Sequence, residues 1–265
     1  MAKDNNILIE QIGFTKKIIL NKPEKRNSLD ENMISEIKNY FEEFSNDLET
    51  KTIVLCGKGG NFSTGFSLEY INKISKYDAI ENKKDSDNYK ELLLSIYNCR
   101  KPVIAMVEGY ALAAGCCIAS ACDLIIASNK AQFGFTEVKI GFVPSISIIF
   151  LLKRISESNV KDLILTSRFI TAIDAHKIGL VNYVIEENML NAYVENICRE
   201  INQSSFSSLL FAKEIIRNAV NMSFESALSY AADMNVIVRM TEDCKKGMMR
   251  FLTKDFSPST KKKKN

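Results

Sequence analysis

Glu108-Gly-Tyr-Ala-Leu-Ala-Ala-Gly-Cys-Cys-Ile-Ala-Ser-Ala-Cys-Asp123 follows the apolar run Pro102–Val107. The stretch reads as a buried strand, a tight glycine turn and a helix made almost wholly of small side chains. Small side chains at a helix start let a ligand approach the backbone closely. The first-turn N–H groups, which have no partner inside the helix, can then receive an oxygen that carries or develops negative charge. A second glycine turn, Asn61-Phe-Ser-Thr-Gly-Phe66, lies upstream, and Glu137 lies downstream between apolar flanks. Two sources of N–H donors and one carboxylate are the parts of a site that stabilises an enolate.

Around this stretch the front half of the chain reads as α/β. Ile7–Ile12 and Thr15–Leu20 are β-prone runs joined at Gly13, a hairpin pattern. Ser28-Leu-Asp-Glu31 has the form of a capping box, opening a helix with Leu29, Met33, Ile34, Ile37, Tyr40, Phe41 and Phe44 on one face. Thr52–Cys56, Val103–Val107 and Leu124–Ala127 read as buried strands, and Gln132–Phe135 as a further short β segment. The charged residues 67–90 show little periodicity and read as a mobile excursion before a helix over Tyr89–Tyr97. From Ser145 onward the pattern is helical: Ile146–Ile155, Val160–Thr166, Ala172–Ile178, Met189–Gln203, Leu209–Val220, Phe224–Met234 and Val238–Leu252. One short strand, Val181–Ile185, interrupts it. The expected organisation is a core over 1–195 that carries the site, a helical region over 196–256 and a basic disordered tail over 257–265.

Composition bounds the class. The chain has 265 residues, near the upper size for a single core, with 46% apolar and 25% charged residues, as in soluble globular proteins. The formal charge of +3 includes the four lysines Lys261–Lys264, without which the body stands at −1. That balance gives no support to a nucleic-acid partner, and the lysine run reads as a solvated tail. Seven cysteines without a C-x-x-C pair read as buried thiols in a reducing compartment. No apolar run reaches membrane-spanning length, and Met1–Asn6 lacks the features of a targeting segment, so a cytoplasmic location is expected.

Each candidate residue carries two readings. Gly57-Lys-Gly-Gly-Asn-Phe-Ser-Thr-Gly-Phe66 is a strand-to-helix loop needing positive φ, or a loop that aims the Phe66 N–H at a substrate oxygen; no Gly-Lys-Ser/Thr ends it, so the nucleotide loop fails. Ala113-Ala114-Gly115 serves tight helix packing, or makes the Ala114 N–H a second donor. Glu137 is a helix-start glutamate, or a buried base with a raised pKa. His176, the sole histidine, reads as a solvated helix position, since no Gly-x-Ser-x-Gly elbow accompanies it. Metal-ligand spacing and the dinucleotide fingerprint are both absent from the sequence.

Taken together, these segments resemble the crotonase (enoyl-CoA hydratase/isomerase) superfamily over nearly the whole chain. Leu20-Asn-Lys-Pro-Glu-Lys-Arg-Asn-Ser-Leu29 resembles its Leu-Asn-Arg-Pro…Asn-Ala-Leu signature, and Phe62-Ser-Thr-Gly-Phe-Ser-Leu68 its Phe-Cys-Ala-Gly-x-Asp-Leu loop. Gly109–Gly115 with Ala121–Ala127 resembles the Gly-x-Ala-x-Gly-Gly-Gly…Cys-Asp block, and Phe133–Pro144 resembles Phe-x-x-Pro-Glu-x-x-x-Gly-x-x-Pro. Ile170–Val181 and the late Glu242…Gly247…Phe251–Lys254 also fit.

The resemblance implies a ββα spiral core with a helical C-terminal trimerisation region, and a homotrimer or dimer of trimers. It implies an acyl-CoA substrate, coenzyme A being part of that substrate and no further cofactor or metal being needed. The thioester oxygen would rest on the N–H groups of Phe66 and Ala114. Lys25, Arg26, Ser28, Ser63, Gly65, Ser67 and Leu68 fall where the family meets substrate and CoA. Family hydratases commonly use two glutamates; the second matches Glu137, and the first falls on Cys117. Cys117 is a small core residue or a weak replacement for a carboxylate, a thiol titrating at about 8.5 against about 4.3 for glutamate. Ser67 replaces the usual Asp, and Ser145 follows Pro144 where Gly is common. The subgroup that keeps only the later glutamate has a motif similar to Pro144-Ser-Ile-Ser147. The expectation is therefore a hydratase-like enzyme acting through an enolate, with Glu137 as acid and base. A Δ3,Δ2-enoyl-CoA isomerase and a non-catalytic acyl-CoA-binding paralogue stand as alternatives.

Overall fold

The computed structural model describes residues 5–253. The chain opens with β1 (Ile7–Ile12), β2 (Thr15–Leu20), α1 (Glu31–Asn46), β3 (Thr52–Gly57), α2 (Leu68–Ile74) and α3 (Ala79–Tyr97). It continues through β4 (Val103–Val107), β5 (Tyr110–Leu112), α4 (Ala114–Ala121), β6 (Leu124–Ser128) and β7 (Gln132–Gly134). Then follow α5 (Ser145–Leu152), α6 (Glu157–Thr166), β8 (Phe169–Thr171), α7 (Ala172–Lys177), β9 (Tyr183–Ile185) and α8 (Leu190–Gln203). Helices α9 (Phe206–Ala219), α10 (Phe224–Met240) and α11 (Glu242–Thr253) complete it.

Two sheets result. The larger has the order β1-β2-β3-β4-β6-β9, its first pair antiparallel and the rest parallel; the smaller has the order β5-β7-β8. Both faces of the large sheet are covered, which is why its central strands read as unbroken apolar runs. On β3, Ile53 and Leu55 join the main core, while Val54 and Cys56 face the layer closed by Leu190, Val194 and Cys198 of α8. The same alternation on β4 sends Val103, Ala105 and Val107 one way and Ile104 and Met106 the other.

Three local expectations are corrected. Helix α1 is capped by Asp30, whose side chain accepts from the Met33 N–H, and Ser28 is not the cap. Leu29 is held in an extended bridge to Phe66, so the chain cannot turn helical until one residue later. The charged stretch 67–90 is helical in α2 and most of α3. An Asp78–Glu81 capping box opens α3, and its exposed charges pair along the helix, as Lys90 with Asp87 at 2.7 Å. Its apolar face (Tyr89, Leu92, Leu93, Ile96) begins late, so the start carries no hydrophobic period to read. Near the C-terminus the helix break falls at Thr241, with α10 running unbroken through Met240.

The chain divides into two compact units, the first ending at Asn202. This moves the expected boundary after 195 to the end of α8, because Cys198 is packed in the core and Asn202 bonds the Thr52 hydroxyl at 2.8 Å. In the second unit α9 and α10 pack on each other and on α11. The tail expected over 257–265 lies outside the described residues. Among the described residues no helix is long and apolar enough to cross a membrane.

Candidate active site

The glycine loop 61–66 lies as an extra strand against β5. Ser63 N–H donates to Tyr110 C=O at 2.9 Å, and Leu112 N–H donates to Ser63 C=O at 2.9 Å. On the loop's other edge, Leu29 N–H donates to Gly65 C=O and Ser67 N–H to Leu29 C=O, both at 2.8 Å. In such a parallel bridge the residue between the bonding neighbours turns its own N–H the opposite way. Here that residue is Phe66, and its N–H therefore faces away from Leu29. Among the described residues, no protein acceptor takes the N–H of Phe66 or of Ala114, the first residue of α4.

The two donors are held at close range by missing side chains. Gly65 has φ +85, and a Cβ there would lie 2.9 Å from Ala113 Cβ and 3.1 Å from Ala114 N. A Cβ on Gly115 would lie 2.4 Å from Ser63 C=O. Ala113, just before α4, is held at φ +51, ψ −126, a conformation glycine adopts freely and alanine does not. Its N–H is anchored on Gly134 C=O at 2.8 Å, which ties the start of α4 to β7. At the other end of α4, Arg154 Nε donates to Ser120 C=O at 2.6 Å and its guanidinium also reaches Cys122 C=O, a cation on the negative end of the helix.

Three residues past β7, Glu137 opens a short 3₁₀ turn over Glu137–Ile140. Its Oε2 is buried with no hydrogen-bond partner in the protein. Burial raises its pKa above the ordinary glutamate value, against an opposing pull from backbone N–H groups at Glu137 and Thr136. A raised pKa makes this carboxylate a stronger proton acceptor than an ordinary glutamate, as a general acid–base requires.

The Glu137 charge reaches Tyr89 of α3 and Cys116 and Cys117 in the first turn of α4. Cys117 is fully buried, and burial pushes its thiol up to about 11, against opposing hydrogen bonds from Ser147 and Tyr89. It is therefore a neutral thiol, inert as a nucleophile at ordinary pH. Sequence reasoning does not single out Tyr89, and it touches Ser147 only as the last residue of the Pro144–Ser147 motif. Tyr89 Oη donates to Ala114 C=O at 3.2 Å, and its ring meets the Phe66 ring edge-on at 5.1 Å. In the sequence Tyr89 is one apolar position of a helix face, and nothing in that spacing says where its hydroxyl points.

A family model for enoyl-CoA hydratase/isomerase matches residues 14–260. The chain belongs to the enoyl-CoA hydratase/isomerase family. It is 31% identical over 252 residues to the short-chain-enoyl-CoA hydratase of Clostridium acetobutylicum, covering 94% of this chain and 95% of that one. It is 28% identical to the 2,3-dehydroadipyl-CoA hydratase of Escherichia coli, with 89% and 91% covered. The crystal structure of an enoyl-CoA hydratase from Bacillus anthracis superposes with a TM-score of 0.88 at 26% identity, covering 93% of this chain and 96% of that one. The fold is thus the crotonase fold, and the protein is an enzyme of the hydratase/isomerase family. Its relatives are named for different acyl chains, so the family alone does not set the chain recognised here.

Within the enoyl-CoA hydratase/isomerase frame, several motif residues turn out to shape loops. Ser63 is fully buried; its hydroxyl donates to Asn27 C=O at 2.8 Å and accepts from Gly65 N–H at 3.2 Å, so its side chain braces the turn and is not free for CoA. Ser67 caps α2 by accepting from Tyr70 N–H at 3.1 Å, and Leu68 is exposed beside it. Asn27, also fully buried, donates to Lys58 and Asn61 carbonyls at 2.9 and 2.7 Å and accepts from Lys22 N–H at 2.9 Å. That one amide ties the 22–28 segment to the glycine loop. Asp123 accepts from Val103 N–H at 2.7 Å and so fastens β6 to the start of β4. Lys25 is exposed and paired with Glu69 at 2.8 Å, and Arg26 lies 5.7 Å over the Tyr110 ring. Lys25, Ser28 and Ser67 line a cleft of roughly 560 Å³ together with Lys22, Asp30 and Tyr70. Glu137 and Ala114 are not in its walls. His176 is exposed on α7, as expected of a solvated helix position, and its Nδ1 also meets Val181 C=O at 2.9 Å before β9.

Proposed function

We propose that this enzyme hydrates a 2-enoyl-CoA through an enolate, with Glu137 as its single acid and base. The observation that carries the reading is the buried, unpartnered Glu137 Oε2 beside the start of α4, where two backbone N–H groups have no protein acceptor. The thioester oxygen accepts from the N–H groups of Phe66 and Ala114, which together form the oxyanion hole. Glu137 takes a proton from water as the oxygen adds to Cβ, and the electron pair moves to the thioester oxygen. The protonated Glu137 then returns that proton to Cα, so water is added across the double bond and the carboxylate is restored. Backbone donors aimed at developing charge contribute about 3–4 kcal/mol each to such a step. The cleft holding Lys25, Ser28 and Ser67 is proposed to receive the CoA moiety, with Arg26, Gly65 and Leu68 beside it; no further cofactor enters. The second unit exposes Ile216, Phe224, Leu228, Val236 and Met240, an apolar surface suited to the homotrimer or dimer of trimers that the family resemblance implies.

One observation favours a second reading. With Cys117 uncharged, Glu137 is the sole carboxyl of the site, and one carboxyl is enough to move a proton between Cα and Cγ of a 3-enoyl-CoA. Incubation with crotonyl-CoA and, separately, a 3-enoyl-CoA distinguishes them. The expected outcome is 3-hydroxybutyryl-CoA from the first. Isomerisation without hydration would favour the second reading, and CoA binding without either turnover would overturn both.

A further inference from the structure

The hydration chemistry raises a requirement that Glu137 alone does not meet. A water molecule has two hydrogens. When it gives one to a carboxylate, the direction of its attacking lone pair is fixed only if the other hydrogen is also held. The groups around the Glu137 carboxyl are the place to look for that second acceptor.

Three polar side chains meet at the start of α4, where the Glu137 charge is felt: Cys117, Ser147 and Tyr89, whose hydroxyl bonds the Ala114 carbonyl. The Cys117 sulfur is a weak acceptor that already bonds the Ser147 hydroxyl, and its own hydrogen is shared with Tyr89. Ser147 is the third residue of α5 and is almost fully buried, with its hydroxyl bonded to the thiol. Tyr89 differs in its contacts. Its Oη donates to the carbonyl of Ala114, and its ring packs on Phe66 at 5.1 Å, so it touches both residues whose N–H groups would hold the thioester oxygen. With its one hydrogen on that carbonyl, the phenol oxygen meets the Cys117 thiol as an acceptor and keeps one further lone pair for another hydrogen bond. Its ring is buried in the main core and meets the Phe66 ring edge-on, which with the bond to Ala114 C=O restrains the position of the oxygen.

We propose that Tyr89 Oη accepts the second hydrogen of the attacking water and so positions it between Glu137 and the substrate's Cβ. This rests on the hydratase reading above. Tyr89 gains and loses no proton in the step: the Glu137 carboxylate takes the water's first proton, the new C–O bond forms, and Glu137 returns that proton to Cα. The tyrosine is a positioning residue for water, and it has no part in forming the enolate.

That division of labour supplies the test. Exchange of the α-protons of butyryl-CoA with deuterium in D2O needs Glu137 and the two N–H donors but no bound water at Cβ. Hydration of crotonyl-CoA needs all of them. Tyr89→Phe keeps the ring contact with Phe66 and is expected to lower kcat for hydration by about tenfold or more, the effect of one lost orienting hydrogen bond, with KM unchanged. Its α-proton exchange should stay within about twofold of the wild type, since the base and the oxyanion donors are untouched. Ser147→Ala, measured in parallel, should leave hydration within about threefold. Hydration at the wild-type rate in Tyr89→Phe would overturn the proposal. So would equal loss of hydration and exchange, which is the mark of a merely structural tyrosine, or loss of hydration in Ser147→Ala alone. Wild-type exchange without hydration would remove the water-positioning role and leave the enolate reading standing; wild-type protein doing neither would remove both.

Discussion

At the scale of single residues, the site is held by what its positions lack. Ala113 stands at φ +51, where a β-carbon costs about 1–3 kcal/mol, and it does so because its N–H is fixed on Gly134 and its Cβ fills the space beside Gly65. Ala113→Gly is therefore expected to raise stability by about 1 kcal/mol in urea denaturation, part of the relieved strain being offset by the freer unfolded chain. Activity should be unchanged, because the Ala114 N–H is backbone. Loss of stability in that variant would show that packing of the methyl outweighs the strain. Glu137 was visible in the sequence as a lone acidic residue between apolar flanks, yet its unpartnered Oε2 was not, since burial depends on what the rest of the chain places over it. Cys117 was likewise visible as a small residue where a carboxylate is expected. Its neighbours Tyr89 and Ser147 come from α3 and α5, 28 and 30 residues away in sequence, and no local spacing reports such a meeting.

At the scale of elements, the site is a junction between the glycine loop and the start of α4. The loop's strand-like pairing with β5 brings Ser63 C=O so near Gly115 that a single methyl would meet it at 2.4 Å. Gly115→Ala is expected to push loop and helix apart and to cost about 10²-fold in kcat, since a displacement of order 1 Å at a reacting group has that effect. Steady-state hydration of crotonyl-CoA checks it, and wild-type kcat would mean that loop and helix do not jointly hold the thioester. Strand β5 was hidden in the glycine turn, whereas the β1–β2 hairpin and strands β3, β4 and β6 were legible because each is short, apolar and bounded by glycine or charge. Helices α2 and the first half of α3 were not. Capping at Ser67 and Asp78 and pairs such as Lys90–Asp87 stabilise them, while the apolar spacing of α2 is a single pair, Tyr70 and Ile74, and that of early α3 is masked by charge, so no sustained hydrophobic period marks them. The start of α1 was misplaced for a different reason. Ser28 has capping chemistry, but Leu29 is needed first as the rung that turns the Phe66 N–H outward.

At the scale of the whole molecule, the first unit contains every residue assigned to the chemistry, and the second is helical with a largely exposed apolar surface. The family and the fold class followed from ordered motifs spread along the chain. The boundary between units did not, because Cys198 and Asn202 of α8 belong to the core through contacts made far away in sequence. The central claim is that one half-buried carboxyl, Glu137, runs the whole proton cycle. The most direct measurement is the pH dependence of kcat/KM for crotonyl-CoA hydration in the wild type and in Glu137→Gln. Burial raises the Glu137 pKa, so the proton-accepting carboxylate is scarce at low pH and grows as pH rises through that raised value. The wild type should therefore show a single acid limb lying above the ordinary glutamate range, with a plateau beyond it. Glu137→Gln should lose about 10²–10⁴-fold in rate and lose the limb altogether. A glutamine variant that keeps both the rate and the limb would contradict the account.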